Sequence, residues 1–146
     1  MGDYNSILVA VDLSEEASEV AAKAARLAAV NNAQLHVIHV IEPLSFAYGG
    51  DIPIDFSSIQ EEIQQQAETQ LRGLCSNLAV PVERLHIVLG RPENEIHALA
   101  KKLSVDLIVV GSHGRHGFAL LLGSTANGVL HGAQCDVLAM RVGKKA

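Results

Sequence analysis

Glycine, serine and histidine crowd into one stretch of this chain, Val109-Val110-Gly111-Ser112-His113-Gly114-Arg115-His116-Gly117, which runs on to Leu122-Gly123-Ser124-Thr125. An apolar strand empties into a glycine-rich turn, and a second Gly-Ser-Thr opens a helix. Glycine adopts φ > 0 and lets backbone N–H groups approach a ligand, while a helix N-terminus carries partial positive charge. The chemistry that fits is the cradling of an anion such as a phosphate, so the stretch predicts nucleotide binding rather than bond-making. Ser124 and Thr125 also fit ordinary helix caps.

The signatures of catalysis are missing. There is no Gly-Lys-Ser/Thr ending of a phosphate loop, no Gly-x-Ser-x-Gly elbow and no His-Glu-x-x-His helix. With no positioned base or carboxylate pair for a metal, any nucleotide hydrolysis would be slow leakage, and a binding module is the better class. No metal site is predicted either. His36 and His39 lie three apart on a strand and point to opposite faces, and His113 and His116 have no cysteine or carboxylate partner nearby. Cys75 and Cys135 have neither metal nor redox spacing, and Cys135 reads as a small buried hydrophobe. Gly128 and Gly132, four apart on the last helix, read as sites of close packing rather than of ligand contact.

Five apolar runs must position these residues. Ser6 to Val11 reads as a strand ending at Asp12, and Ala17, Val20, Ala21, Ala24, Leu27 and Ala28 then recur at helical spacing between Ser14 and Val30. Asn31-Asn32 closes that helix, Gln34 to Ile41 forms the second strand, and Pro43 ends it. Residues 44–56 read as a loop within the crossover. Ile59, Ile63, Ala67, Leu71, Leu74 and Leu78 mark one side of a long Glu- and Gln-rich helix, with Pro81 beyond it. Leu85 to Leu89 is a third strand, and Gly90-Arg91-Pro92 turns into a helix whose apolar face is Ile96, Leu99, Ala100 and Leu103. Asp106 to Val110 is the fourth strand, Ser124 to His131 the last helix, and Asp136 to Val142 the fifth strand.

Strict alternation of strand and helix, with right-handed crossovers, predicts an α/β fold: a single-domain, doubly wound, five-stranded parallel sheet of order 3-2-1-4-5 with helices on both faces, spanning residues 1–146. Strands one and four are then neighbours, so Asp12 and Gly111 fall together at the topological switch point, where open α/β sheets bind ligands. Asp12 with Glu15 fits an N-terminal capping box as well as a ligand contact.

Composition narrows the class. The 146 residues are 49% hydrophobic and 18% charged, which excludes a disordered chain, and no apolar run approaches the roughly 18 residues of a membrane span. A net charge of -5 argues against a nucleic-acid surface. The opening Met1-Gly2-Asp3-Tyr4-Asn5 lacks the features of a signal peptide, so a soluble protein of the reducing cytoplasm is expected.

Ile7-Leu8-Val9-Ala10-Val11-Asp12-Leu13-Ser14-Glu15-Glu16, the strand Leu35-His36-Val37-Ile38-His39-Val40, Gly90-Arg91-Pro92 before a helix, and Asp106 to Gly114 together resemble the universal stress protein family over nearly the whole chain. The opening is similar to the bacterial type A branch and the glycine loop to the ATP-binding branch. The resemblance implies a homodimeric stress-response protein that binds ATP or another adenine nucleotide, with magnesium accompanying ATP. Asp12 would meet the ribose or adenine, and Ala10, Val11 and Val40 would line the base pocket. Gly111 and Gly114 would wrap the ribose and phosphates. Gly123, Ser124 and Thr125 would donate to the phosphates, and Arg115 or His116 would add charge. The loop departs from the ATP-binding pattern, because eight residues rather than nine separate Gly114 from Gly123, and Ala10 stands where such relatives often carry proline. The shorter connection either tilts the helix away from the phosphates or is absorbed by a turn at Gly117. The first alternative leads to a second reading, a nucleotide-independent interaction or chaperone-like module with a vestigial pocket.

The last strand lies at a sheet edge, where Val137, Leu138 and Met140 flank unpaired backbone groups that invite a second copy. The resemblance likewise implies dimerisation through this strand.

Overall fold

The continuous apolar runs do become strands. In a computed structural model, which describes residues 2–43, 57–111 and 124–141, they are β1 (Ser6–Ala10), β2 (Gln34–Ile41), β3 (Leu85–Leu89), β4 (Leu107–Gly111) and β5 (Asp136–Met140). Every pairing is parallel, and the sheet order is β3-β2-β1-β4-β5. Between them run α1 (Ala17–Asn31), α2 (Ser57–Cys75), α3 (Pro92–Leu103) and α4 (Ser124–Gly132).

Alternation along β1 sorts the core into two layers. Ile7, Val9 and Val11 pack with Val37 and Val109 beneath α1, together with Leu71 and Cys75 of α2. Leu8 packs with Ile38, Ile108 and Val110 beneath Ile96 and Ala100 of α3 and Ala126 and Val129 of α4. Both faces of the central strands are covered, so Ile7, Leu8 and Val9 are fully buried.

Chain ends of the helices follow local chemistry with two departures. Asn32 closes α1 and Ser104 closes α3 in left-handed conformations, each donating its N–H back to the last turn, and Pro92 opens α3 at its first position. The capping box expected at Asp12 and Glu15 is absent. A turn with the Ala17 N–H donating to the Ser14 carbonyl at 3.1 Å precedes the helix, which begins at Ala17 behind Glu16, and Glu16 makes no side-chain cap. Asp12 is therefore too far upstream to cap α1. Leu78 also falls outside its expected helix, since α2 ends at Cys75 and a turn carries the chain onward.

The glycine pair on α4 has the packing role its spacing suggests. A Cβ on Gly128 would stand 2.8 Å from Glu93 Cβ of α3, and one on Gly132 would stand 2.8 Å from His97 Nε2. The missing side chains let the helices close until His97 Nε2–H donates to the Gly128 carbonyl at 3.2 Å. Gly128→Ala would gain about 0.5–1 kcal/mol of helix propensity but cost about 1–3 kcal/mol in overpacking against a Cβ that cannot swing away. A net loss of about 1 kcal/mol in urea denaturation is expected, and a variant as stable as the parent would contradict this contact.

Candidate functional site

Ile7, Leu8 and Val9 face Leu107, Ile108 and Val109 across the β1–β4 ladder, so the next residues of the two strands run on side by side toward Val11 and Gly111. The connection that leaves β1 leads to β2 on one side, whereas the connection that leaves β4 leads to β5 on the other. The result is a crevice at the carboxyl ends of β1 and β4, the position at which an open parallel sheet offers its loops to a ligand.

Most of the expected base-pocket residues gather at this end. Ala10 and Val40 are half-buried on the α3 and α4 side. Val11 is buried on the α1 side and donates its N–H to the Ile38 carbonyl at 3.0 Å. Asp12 is exposed just beyond it. One oxygen, Oδ1, accepts the Ser14 N–H at 3.0 Å, which closes a tight turn through Leu13 at φ 61°. Gly111 ends β4 half-buried, Ser124 opens α4, and Thr125 is half-buried in its first turn. Gly114, Arg115, His116 and Gly123 lie outside the described residues, as do His113 and Gly117.

Two histidine contacts were not legible from spacing within one strand. His39 Nδ1 lies 2.8 Å from the Val11 carbonyl, directly behind the Asp12 turn. His36 Nδ1 lies 3.3 Å from His86 Nε2, because His86 is the register partner of Ile38, two residues along β2. His36 and His39 do face opposite sides of the sheet, as their spacing requires. Burial, then the positive neighbours His86 and Arg84, lowers the His36 pKa from its usual range, and burial with Lys102 lowers that of His86. Cys135 is half-buried and free, and burial followed by the nearby Asp136 and Asp106 pushes its thiol up, which fits an inert side chain.

A separate surface groove of about 440 Å³ lies at the other end of the sheet, between α3 and the start of β5, with His97, Lys101, Ser104 and Cys135 among its walls. It shares no residue with the crevice. Among the described residues no helix is long and apolar enough to cross a membrane.

Sheet order, helices on both faces and an exposed carboxylate turn at the switch point define a doubly wound α/β protein. A model of the Universal stress protein family matches residues 3–141, and the chain belongs to that family. Universal stress protein A homolog 1 of Coxiella burnetii is 48% identical over 138 residues, covering 94% of this chain and 96% of that protein. Among solved structures, hypothetical protein MJ0577 superposes with a TM-score of 0.79 at 23% identity, over 97% of this chain and 99% of that one. A universal stress protein in complex with cAMP superposes with a TM-score of 0.68 at 23% identity, over 95% of this chain and 96% of that one.

Proposed function

We propose that the chain is a cytoplasmic, homodimeric regulatory module that binds an adenine nucleotide in the crevice between β1 and β4 and passes its bound state to protein partners. The observation that carries this reading is the meeting of the exposed Asp12 turn with Gly111 at the switch point. A neighbour of the same fold held with cAMP supports the choice of an adenine compound. ATP is the leading ligand, with magnesium accompanying it; AMP and cAMP present the same base and ribose. Asp12 would accept from the ribose hydroxyls, while Ala10, Val11 and Val40 would line the base. Gly111, Gly114, Gly123, Ser124 and Thr125 would supply backbone and hydroxyl donors for phosphate, and Arg115 or His116 a positive charge. Such a site binds rather than catalyses.

The second copy would join along β5. That strand is the sheet edge, and Val137, Leu138 and Met140 are all half-buried on it, so antiparallel pairing about a two-fold axis would satisfy its free backbone groups. The eight-residue connection between Gly114 and Gly123 favours the second reading, a dimeric interaction module that needs no nucleotide.

Mass spectrometry of protein purified without added nucleotide, followed by calorimetric titration with ATP, AMP and cAMP, separates the two. Stoichiometric binding is expected. Asp12→Ala should weaken it by about 10- to 100-fold, the size of one charge-assisted hydrogen bond, and should leave the sedimentation of the dimer unchanged. A protein that carries no nucleotide and binds none of the three would remove the nucleotide reading.

A further inference from the structure

We propose that His39 is a positioning residue of this crevice: its imidazole, held as the Nδ1–H tautomer, clamps the Val11 carbonyl and so fixes the turn that presents Asp12. The role as an anchor of the turn stands on contacts within the chain, while its effect on affinity rests on the adenine-nucleotide reading.

A carbonyl oxygen can only accept, so the ring nitrogen 2.8 Å from the Val11 oxygen must carry the hydrogen. This contact spans 28 residues of sequence and ties the second half of β2 to the point where β1 ends. The Val11 N–H is already engaged by Ile38 at 3.0 Å. Val11 is thus held through both of its backbone polar groups, the N–H by the Ile38 carbonyl and the carbonyl by the imidazole.

The turn beyond Val11 needs such a hold. Leu13 sits at φ 61°, a left-handed conformation that side chains with a Cβ adopt at a cost. Among the described residues Asp12 bonds within its own turn, through Ser14 at 3.0 Å, and that contact moves with the turn rather than fastening it to the sheet. A strained turn persists when neighbouring structure determines it, and the His39 ring is the side chain that links it to β2.

The test uses the full chain without ligand and then with ATP. Long-range proton–nitrogen NMR correlations read the imidazole tautomer, and amide exchange at Val11 and Ser14 reads the turn. His39→Leu removes the donor, whereas His39→Asn places an amide N–H at the same reach as Nδ1. The expected result is an Nδ1–H tautomer at His39, exchange at least about tenfold faster in the leucine variant, and ATP affinity about tenfold weaker, consistent with one lost hydrogen bond. Asparagine should restore both to within about threefold. An Nε2–H tautomer, or exchange at Val11 and Ser14 that leucine leaves unchanged, overturns the clamp, as does a leucine variant that binds ATP as tightly as a parent that binds it. If the parent binds no adenine nucleotide, the functional reading falls alone, and the tautomer and exchange measurements still decide the role of His39 in the turn.

Discussion

Asp106→Ala is expected to lower stability by about 2–3 kcal/mol, or to lower Tm by about 5–10 °C for a chain of this size. The reason lies at the amino ends of the central strands. Asp106 precedes β4, and its carboxylate accepts the Asn5 N–H at 2.9 Å and the Ser6 N–H at 3.1 Å, while its own N–H donates to the Ser6 carbonyl at 2.9 Å. Three bonds therefore fasten the start of β1 to the start of β4 across about a hundred residues of sequence. Alanine keeps only the backbone bond. The Asn5 N–H is exposed and returns to water, whereas the Ser6 N–H is partly buried and loses more, which sets the expected size between one and two charge-assisted bonds. Asp106→Asn should recover less than half, since one amide face would turn an N–H toward an N–H. Urea denaturation at neutral pH measures both, and a loss below about 0.5 kcal/mol for alanine would show that these bonds do not hold the strands.

Nothing in the type of Asp106 announces this role, and the contrast with other residues explains what was legible in the sequence. Strands buried on both faces must be apolar throughout, so their existence and order could be read from runs such as Leu107-Ile108-Val109-Val110 and from the alternation with helices. Gly128 and Gly132 could be read because only a small residue on one helical stripe lets another helix approach so closely. The start of α1 could not. Asp12, Ser14 and Glu15 satisfy a capping pattern, yet the preference of Asp12 for its own turn, with Leu13 left-handed, delays the helix to Ala17. Local side-chain bonding won over the cap. The contacts of His39 and His36 depend on which strand lies alongside, so they become visible only when β2 is placed between β1 and β3. The order 3-2-1-4-5 already sets β2 beside β3, and the histidines that share a face across those two strands are the signal that points to His86. For the crevice, the β1 and β4 ends were readable as a pair; Gly114, Arg115, His116 and Gly123 lie outside the described residues.

The His36–His86 contact leads to the second large effect, a loss of stability in mild acid that one substitution should blunt. In the neutral pair a single hydrogen lies between His36 Nδ1 and His86 Nε2 at 3.3 Å, with one ring donating and the other accepting. One added proton can be carried with that bond kept; a second sets two N–H groups face to face, with Arg84 and Lys102 adding like charge and burial denying water. Both folded pKa values therefore lie below the unfolded value of about 6.5. Between folded and unfolded values the unfolded chain binds more protons, so stability rises with pH there. The contribution is complete above about pH 6.5 and is lost as pH falls through the folded values, at up to about 1.4 kcal/mol per pH unit for each proton withheld. Urea midpoints for parent and His86→Gln between pH 7.5 and 5 isolate His86 and its coupling to His36, because both proteins share His36, the other histidines and the carboxylates. The parent should lose stability more steeply below pH 6.5, by as much as about 1 kcal/mol per unit. Parallel curves would mean that His86 takes up its proton in the folded protein as readily as in the unfolded chain, and the partly buried hydrogen bond to His36 would then carry no pH dependence.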